Sequence, residues 1–384
     1  MTTSPESTST RPAWVEIDLD QLRRNFEIIR ADRPKGLQFC VVVKDQAYGH
    51  GAVAVAKVAV EAGAACLAVA TVDEALELRQ SDVTAPILVF GERTPEELRL
   101  CLEHDLTCFV NDEATVRAYA RLAANANRRV PVHVEVDTGL SRYGVRWTQA
   151  LPVLRCVREQ PALELEGVMS HFAMSDELDK SFALEQLQRF QQVLQEMARD
   201  GIQVKWRHMC NTGGYLDLPQ AHFDLVRVGI LPLGVYPSQV CRRIPGLKPV
   251  MSVKTRIAAL KTLEPGDYVG YGMRYQAERR STIAVLPIGY GDGFPRVRNR
   301  GHVLIQGKRA PIVGGNAMDA TMVDVGGTTG AWKWQEVVLL GAQGDAEIDV
   351  HEIARLGNTV SYDILTGWRW RLPRRYKTGE GTGA

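Results

Sequence analysis

Residues 39–51 read FCVVVKDQAYGHG. Five apolar residues in a row, three of them β-branched valines, make a strand with no polar face, as in a parallel strand covered on both sides. The run ends at Lys44. Burying an ammonium group is costly unless it is paired or neutralised, so the plainest placement is a lysine that snorkels from a barrel mouth. The next residues argue for a ligand instead. Gly49 and Gly51 let backbone come close to a bound group, and the Tyr48 hydroxyl can donate to a phosphate.

Seven further apolar runs, at 66–70, 86–90, 107–110, 132–136, 165–170, 205–209 and 224–228, follow this first one at 39–44. Helical patterns lie between them, at 52–62, 95–104, 113–125 and 180–200 among others. The last places Phe182, Leu184, Leu187, Phe190, Val193, Leu194 and Met197 on one face at the 3.6-residue period. Eight strand–helix units predict an α/β chain with a closed, TIM-type (β/α)8 barrel. An open doubly wound sheet is the competing arrangement, but no GxGxxG follows the first strand.

Beyond about residue 245 the texture changes. Alternating segments at 251–260, 281–287, 302–306 and 321–325 are separated by Gly, Pro and Asp turns, which predicts a mainly β C-terminal domain with one helix near 351–356. The expected organisation is a disordered tail over 1–12, a barrel over 13–245 and a β-domain over 246–384. Residues 13–18 alternate like a strand that could join the sheet of the second domain.

Lys and Arg total 46 against 45 acids over 384 residues, so no net field favours nucleic acid or an anionic membrane. The seven cysteines form no CxxC pair and no metal-ligand spacing. Reduced thiols in a cytoplasmic protein fit that pattern better than a disulfide framework. The polar first dozen residues do not make a signal peptide, and no apolar run approaches the ~18 residues of a membrane span.

Functional side chains of such barrels gather at the C-terminal ends of the strands. Those positions hold Lys44, Asp137 to Arg142, His171, Asn211-Thr212, and Arg227 to Gly229. The Asn211–Gly214 turn (NTGG) and Gly229-Ile230 offer backbone N–H groups to an anion at the usual phosphate-gripping place. A phosphate opposite a buried lysine points to a Schiff base with pyridoxal phosphate (PLP). Arg227 would face the pyridine nitrogen, where many PLP enzymes place an acid. An arginine cannot accept that proton, so the ring stays neutral at nitrogen, and proton transfer then needs a well-placed base on each face.

At this point the sequence resembles the alanine racemase family. The likeness runs through AWVEIDL (13–19), VKDQAYGHG (43–51), AVATVDEALELR (68–79), DTGLSRYG (137–144), SHFA (170–173), HMCNT (208–212) and 226–234. It continues through VGYG (269–272), PIGYGDGFPR (287–296), Met318-Asp319 and SYDIL (361–365). The resemblance implies a cytoplasmic homodimeric isomerase that racemises a free amino acid, L-alanine to D-alanine, with active sites shared across the interface. It casts Lys44 as the PLP-bearing lysine and first base, and Tyr271 as the opposing base from the second subunit. Tyr48, Asn211, Thr212, Gly229, Ile230 and Tyr362 would hold the cofactor at its phosphate end, and Arg227 would sit at the pyridine nitrogen. His171 and His208 would be networked with the tyrosine and that arginine. Arg142, Tyr290, Met318 and Asp319 would contact substrate.

Some positions depart from the family pattern. Glu135 stands where many members carry a carbamylated lysine that orients the neighbouring arginine. Gly315 and Ala317 replace an arginine and a cysteine, Ala320 a polar residue, and Leu233 a tyrosine. A racemase of broader or different specificity is therefore an open alternative. PLP-dependent decarboxylation is disfavoured by Arg227 and by the lack of any cysteine after Cys241. A non-catalytic PLP-binding protein, typically a single barrel, is disfavoured by the matched β-domain and Tyr271, whereas a degenerate racemase that keeps the scaffold but has lost activity remains open.

Overall fold

A computed structural model describes residues 10–326 and 330–379. The chain divides into two compact units, one of Leu22–Ala47 and Ala52–Lys248, the other of Met1–Gln21, Tyr48–Gly51 and Pro249–Ala384. Most of the expected tail (1–12) lies outside the described residues. Arg11 and Pro12, expected to be tail as well, are tied down: Arg11 pairs with Asp292, and the Pro12 carbonyl accepts from Arg256 N at 3.0 Å.

The first unit is the barrel. Its parallel strands are Gln38–Val42, Cys66–Val69, Ile87–Val89, Leu106–Phe109, Val130–Asp137, Leu163–Met169, Trp206–His208 and Leu225–Val228; the first seven pair in that order, and the last pairs with the first. Asp224 N to Arg207 O (3.1 Å) and Arg227 N to Cys210 O (2.9 Å) bring the final two strands together, so the ring nearly closes. Short strands such as CLAV, ILV and LTCF are buried at every position, which is why they read as unbroken apolar runs.

Sharp helix starts keep the connections short. Thr71 and Glu74 form a reciprocal capping box before Val72–Gln80, and Thr94 and Glu97 do the same before Pro95–Glu103. Each satisfies two backbone N–H groups that would otherwise lack acceptors. The apolar face of Ser181–Arg199 differs from the expected one. Ala183, Gln186, Leu187, Phe190, Val193 and Met197 are buried, whereas Leu184 is exposed.

The second unit is mainly β. Ala13–Asp18 runs antiparallel to Met251–Arg256 and parallel to Arg374–Lys377, inside a sheet that also holds Glu336–Gln343, His302–Ile305 and Lys308–Pro311. A three-stranded sheet is formed by Ala259–Leu263, Ser281–Leu286 and Thr321–Asp324. The segment expected as one strand over 251–260 is thus two strands, broken at Ile257-Ala258, which bond to different partners. Among the described residues beyond Pro249 there are two α-helices, Val350–Gly357 as expected and Ser361–Gly367 in addition. Among the described residues no helix is long and apolar enough to cross a membrane, and all seven cysteines are buried and unbridged.

Candidate active site

Lys44 stands two residues past the end of the first barrel strand and opens a turn that sequence reasoning did not foresee. Asp45, Gln46, Ala47 and Tyr48 have φ of 49°, 55°, 50° and 54°, one turn of left-handed helix built without glycine. Each such residue costs about 1–2 kcal/mol in an L-chain, so the surroundings must hold the turn. Glu74 does so from the neighbouring helix. Its Oε1 accepts from Asp45 N at 2.6 Å, while Oε2 accepts from Ala70 N and Thr71 N at 2.8 and 3.1 Å. Gln46 donates to Glu77 Oε2 (2.6 Å) and accepts from Ala52 N (3.1 Å). Burial, then the charge of Arg142, lowers the Lys44 pKa, against the opposing pull of Glu74 and Asp45. A lysine so placed has more of the neutral amine that attacks a carbonyl.

Arg227 lies in the barrel interior and is 3% exposed. It donates through Nη2 to the carbonyls of Ser170 (2.9 Å) and Met209 (3.1 Å) and reaches His171 Nδ1 at 2.9 Å. Through Nη1 it reaches His208 Nδ1 at 3.1 Å. A guanidinium has no acceptor, so both imidazoles accept at Nδ1 and carry their proton on Nε2. Burial pushes the pKa of each well below the usual histidine value, and the Arg227 charge adds to this. Both rings are therefore neutral acceptors.

The loop bearing His171 is held by Gln186, a buried residue that sequence reasoning passed over. It donates to His171 O at 3.0 Å and accepts from Ala173 N at 2.9 Å. A polar residue at an inward position of an amphipathic helix was the available signal.

Glu135 is 3% exposed, and Gly144 (φ 94°) closes over it so tightly that a Cβ there would lie 2.7 Å from its carbonyl oxygen. Its backbone N–H donates to Asn111 Oδ1 at 2.8 Å. Its carboxylate accepts no hydrogen bond among the described residues. Burial raises its pKa, while Arg227 and Arg142 pull the other way. The glutamate thus lies within electrostatic reach of Arg142, itself exposed, without a hydrogen bond to it.

At the NTGG turn (211–214), Asn211 caps Thr212–Asp217. Its Oδ1 accepts from Gly214 N (3.0 Å) and from Ser175 Oγ (2.7 Å), so that oxygen is committed to the turn. Thr212 is buried. Gly229 and Ile230 are buried too, and neither backbone N–H donates to an acceptor among the described residues. Buried N–H groups are rarely left without acceptors, and two adjacent ones are what an anion would satisfy.

The remaining expected residues lie in the second unit. Tyr48 and Tyr362 pair there with ring centroids 5.9 Å apart. Tyr271 stands on a tight turn between Gly270 (φ 75°) and Gly272 (φ 73°) and is 76% exposed. Tyr290 and Met318 come together because Tyr290 N and Gly291 N donate to the carbonyls of Ala317 (3.1 Å) and Met318 (2.7 Å). Asp319 is exposed next to them. The turn carrying Tyr290 is anchored by the fully buried Asp292, whose carboxylate takes Arg11 at 2.6 and 2.8 Å and Arg371 at 2.8 Å.

Comparison with known proteins joins these features to a family. Residues 17–237 match the model "Alanine racemase, N-terminal domain" and residues 250–376 match "Alanine racemase, C-terminal domain". The chain is 41% identical over 373 residues to the alanine racemase of Halothermothrix orenii, covering 97% of this chain and 98% of that one. The alanine racemase structure from Clostridium difficile 630 superposes with a TM-score of 0.91 at 32% identity, over 97% of each chain. That of Bacillus anthracis with bound L-Ala-P gives 0.90 at 35% identity and 97% coverage of each. The chain belongs to the alanine racemase family of PLP-dependent isomerases.

Proposed function

We propose that Lys44 and Tyr271 exchange the α-proton of alanine from opposite faces, in a cytoplasmic homodimer whose active sites each combine the barrel of one copy with Tyr271 of the other. The reaction is racemisation of alanine. The observation that carries this reading is the Lys44 amine at the barrel mouth, with its pKa lowered by burial and by Arg142.

The residues present fit PLP. The two N–H groups of Gly229 and Ile230 and the Thr212 hydroxyl suit a phosphate, Lys44 suits an imine linkage, and Arg227 offers only donors to a ring nitrogen. When bound, PLP supplies a carbonyl that captures amines and a ring that draws electrons from the α-carbon. Lys44 Nζ and Tyr271 Oη then take up or deliver the α-proton, one on each side. Arg142 orients the substrate carboxylate. His171 and His208 keep Arg227 fixed as a donor, which leaves the ring nitrogen unprotonated and the two bases in control of stereochemistry. A tyrosine exposed to this extent in one copy has room to serve a second copy, which supports the dimeric reading.

Borohydride reduction of the purified yellow protein should fix PLP on Lys44, read by peptide mass mapping; an adduct on another lysine would overturn the assignment. Lys44→Ala and Tyr271→Phe proteins should each be nearly inactive, and mixed heterodimers should regain one working site. Heterodimers that form without recovering activity would refute the shared site.

A further inference from the structure

Behind Arg227 and His208 the barrel interior continues in a line of polar groups, His133 and Glu166, that the reaction described above does not use. His133, on Val130–Asp137, and His208, on Trp206–His208, are both fully buried. They meet Nδ1 to Nε2 at 2.9 Å. On one side His208 Nδ1 faces Arg227. On the other, His133 Nε2 faces Glu166 Oε2 at 3.4 Å, and Lys205 holds Glu166 Oε1 at 3.1 Å from the surface. The place for His133 is built into the barrel. Its neighbour across the sheet is Gly167, where a Cβ would lie 2.5–2.8 Å from three imidazole atoms. Phe109 closes the slot edge-on with centroids 5.5 Å apart.

The protons along this line follow from its two ends. Arg227 can only donate, so His208 accepts at Nδ1 and carries its proton on Nε2. That proton points at His133 Nδ1, which must accept, so His133 is protonated on Nε2 and donates to Glu166. A carboxylate, which only accepts, ends the line without conflict. We propose that Glu166 and His133 are positioning residues for Arg227: a carboxylate at the barrel wall, acting through two imidazoles, fixes the His208 tautomer that lets Arg227 present its donors to the pyridine nitrogen. Without a pure acceptor at position 166, His133 can move its proton to Nδ1. His208 would then carry its proton on Nδ1, and two donors would face each other at Arg227.

The inference rests on the proposed seating of PLP against Arg227, and its test separates the two. Nitrogen-15 histidine-labelled, PLP-loaded protein is compared with Glu166→Gln, Glu166→Asp and the control Glu164→Gln, an exposed position on the same strand. Three readouts are taken: the His133 and His208 tautomers by nitrogen-15 chemical shift, the visible spectrum of the bound cofactor across the neutral pH range, and kcat with KM. In the natural protein both histidines should carry the proton on Nε2. Glu166→Gln, whose amide can donate to His133 as well as accept, should populate the reversed tautomers beside the natural ones, shift the cofactor absorbance and lower kcat by up to about tenfold with KM nearly unchanged. Glu166→Asp should keep the natural tautomers and recover most of kcat, and Glu164→Gln should match the natural protein. An Nδ1–H tautomer for His208 in the natural protein, unchanged tautomers in Glu166→Gln, or reversed tautomers with spectrum and kcat unaltered would each overturn the proposal. The tautomer measurement does not depend on where PLP is attached, so a borohydride adduct away from Lys44 would refute the cofactor assignment alone.

Discussion

Replacing Gly167 with alanine places a methyl group where the imidazole of His133 lies, 2.5–2.8 Å from three of its ring atoms. Neither side can yield easily, because the residue pairs in register with His133 inside a parallel sheet and the ring is fully buried. Overpacking of this kind costs about 1–3 kcal/mol. If the ring swings away, the His208 Nε2–H it was accepting is left buried without a partner, for a further ~1–3 kcal/mol. The sum is about 2–6 kcal/mol, read as a fall in the urea midpoint of equilibrium unfolding. The same Gly167→Ala change in a His133→Ala background should cost less than about 1 kcal/mol, since the methyl then enters vacated space, giving a coupling of roughly 1–5 kcal/mol between the two sites. Gly36, with φ 85° and nothing near its Cβ position, serves as the comparison: alanine there meets only the backbone preference. Equal losses for Gly167→Ala in both backgrounds would refute the packing argument.

Three further outcomes are expected. Racemisation should be indifferent to bicarbonate in the natural protein and become bicarbonate-dependent in Glu135→Lys, where an amine can add carbon dioxide; a bicarbonate requirement with Glu135 in place would disprove the view that its carboxylate supplies the anion. Asp292→Ala should lose about 1–3 kcal/mol in urea unfolding, because the buried Gly289 N–H loses its acceptor and Arg11 and Arg371 lose their partner; no measurable loss would mean that the cluster does not hold the Tyr290 turn. Acid should destabilise the fold in two windows. His133, His171 and His208 have folded pKa values below the ordinary 6.5, so the unfolded chain binds protons that the folded one refuses, and stability drops as pH falls below that value. Glu166, held at about 2 instead of 4.5 by His133 and Lys205, contributes stability that is present above 4.5 and lost as pH falls toward 2. A urea midpoint that rises on acidification from neutrality would contradict both.

The barrel was legible because strands such as CLAV, ILV and LTCF are buried at every position and read as nearly unbroken apolar runs. The strand-end rule then located Lys44, His171 and Arg227 directly. It could not reach His133 and Glu166, which sit within strands, and in VHVEV (132–136) the histidine reads as one more alternating residue. Gln186 was lost for the opposite reason: helical periodicity sorts by hydrophobicity, and it placed Leu184 inward where the fold needed a hydrogen-bonding amide. The left-handed turn after Lys44 left no trace, because glycine and asparagine are its usual markers and Asp45-Gln46-Ala47-Tyr48 is held by Glu74 and Glu77 from outside. Propensity describes what a segment prefers alone, and here the neighbours decide.

That turn leads into Tyr48–Gly51, four residues that belong with the C-terminal unit although barrel sequence lies on either side. Arg374 Nε donates to the Gly49 carbonyl across 325 residues of sequence, and Gly49 and Gly51 lie against Leu365 and Tyr376 so closely that neither position has room for a Cβ. On the ribosome, the segment beside Lys44 is therefore made early and finished last. A nascent chain can complete its eight strands and still lack the partners of this segment until nearly all of the protein has emerged. Truncation after Val360 should leave residues 48–51 open to protease, and protection equal to that of the full chain would show that those late contacts are dispensable.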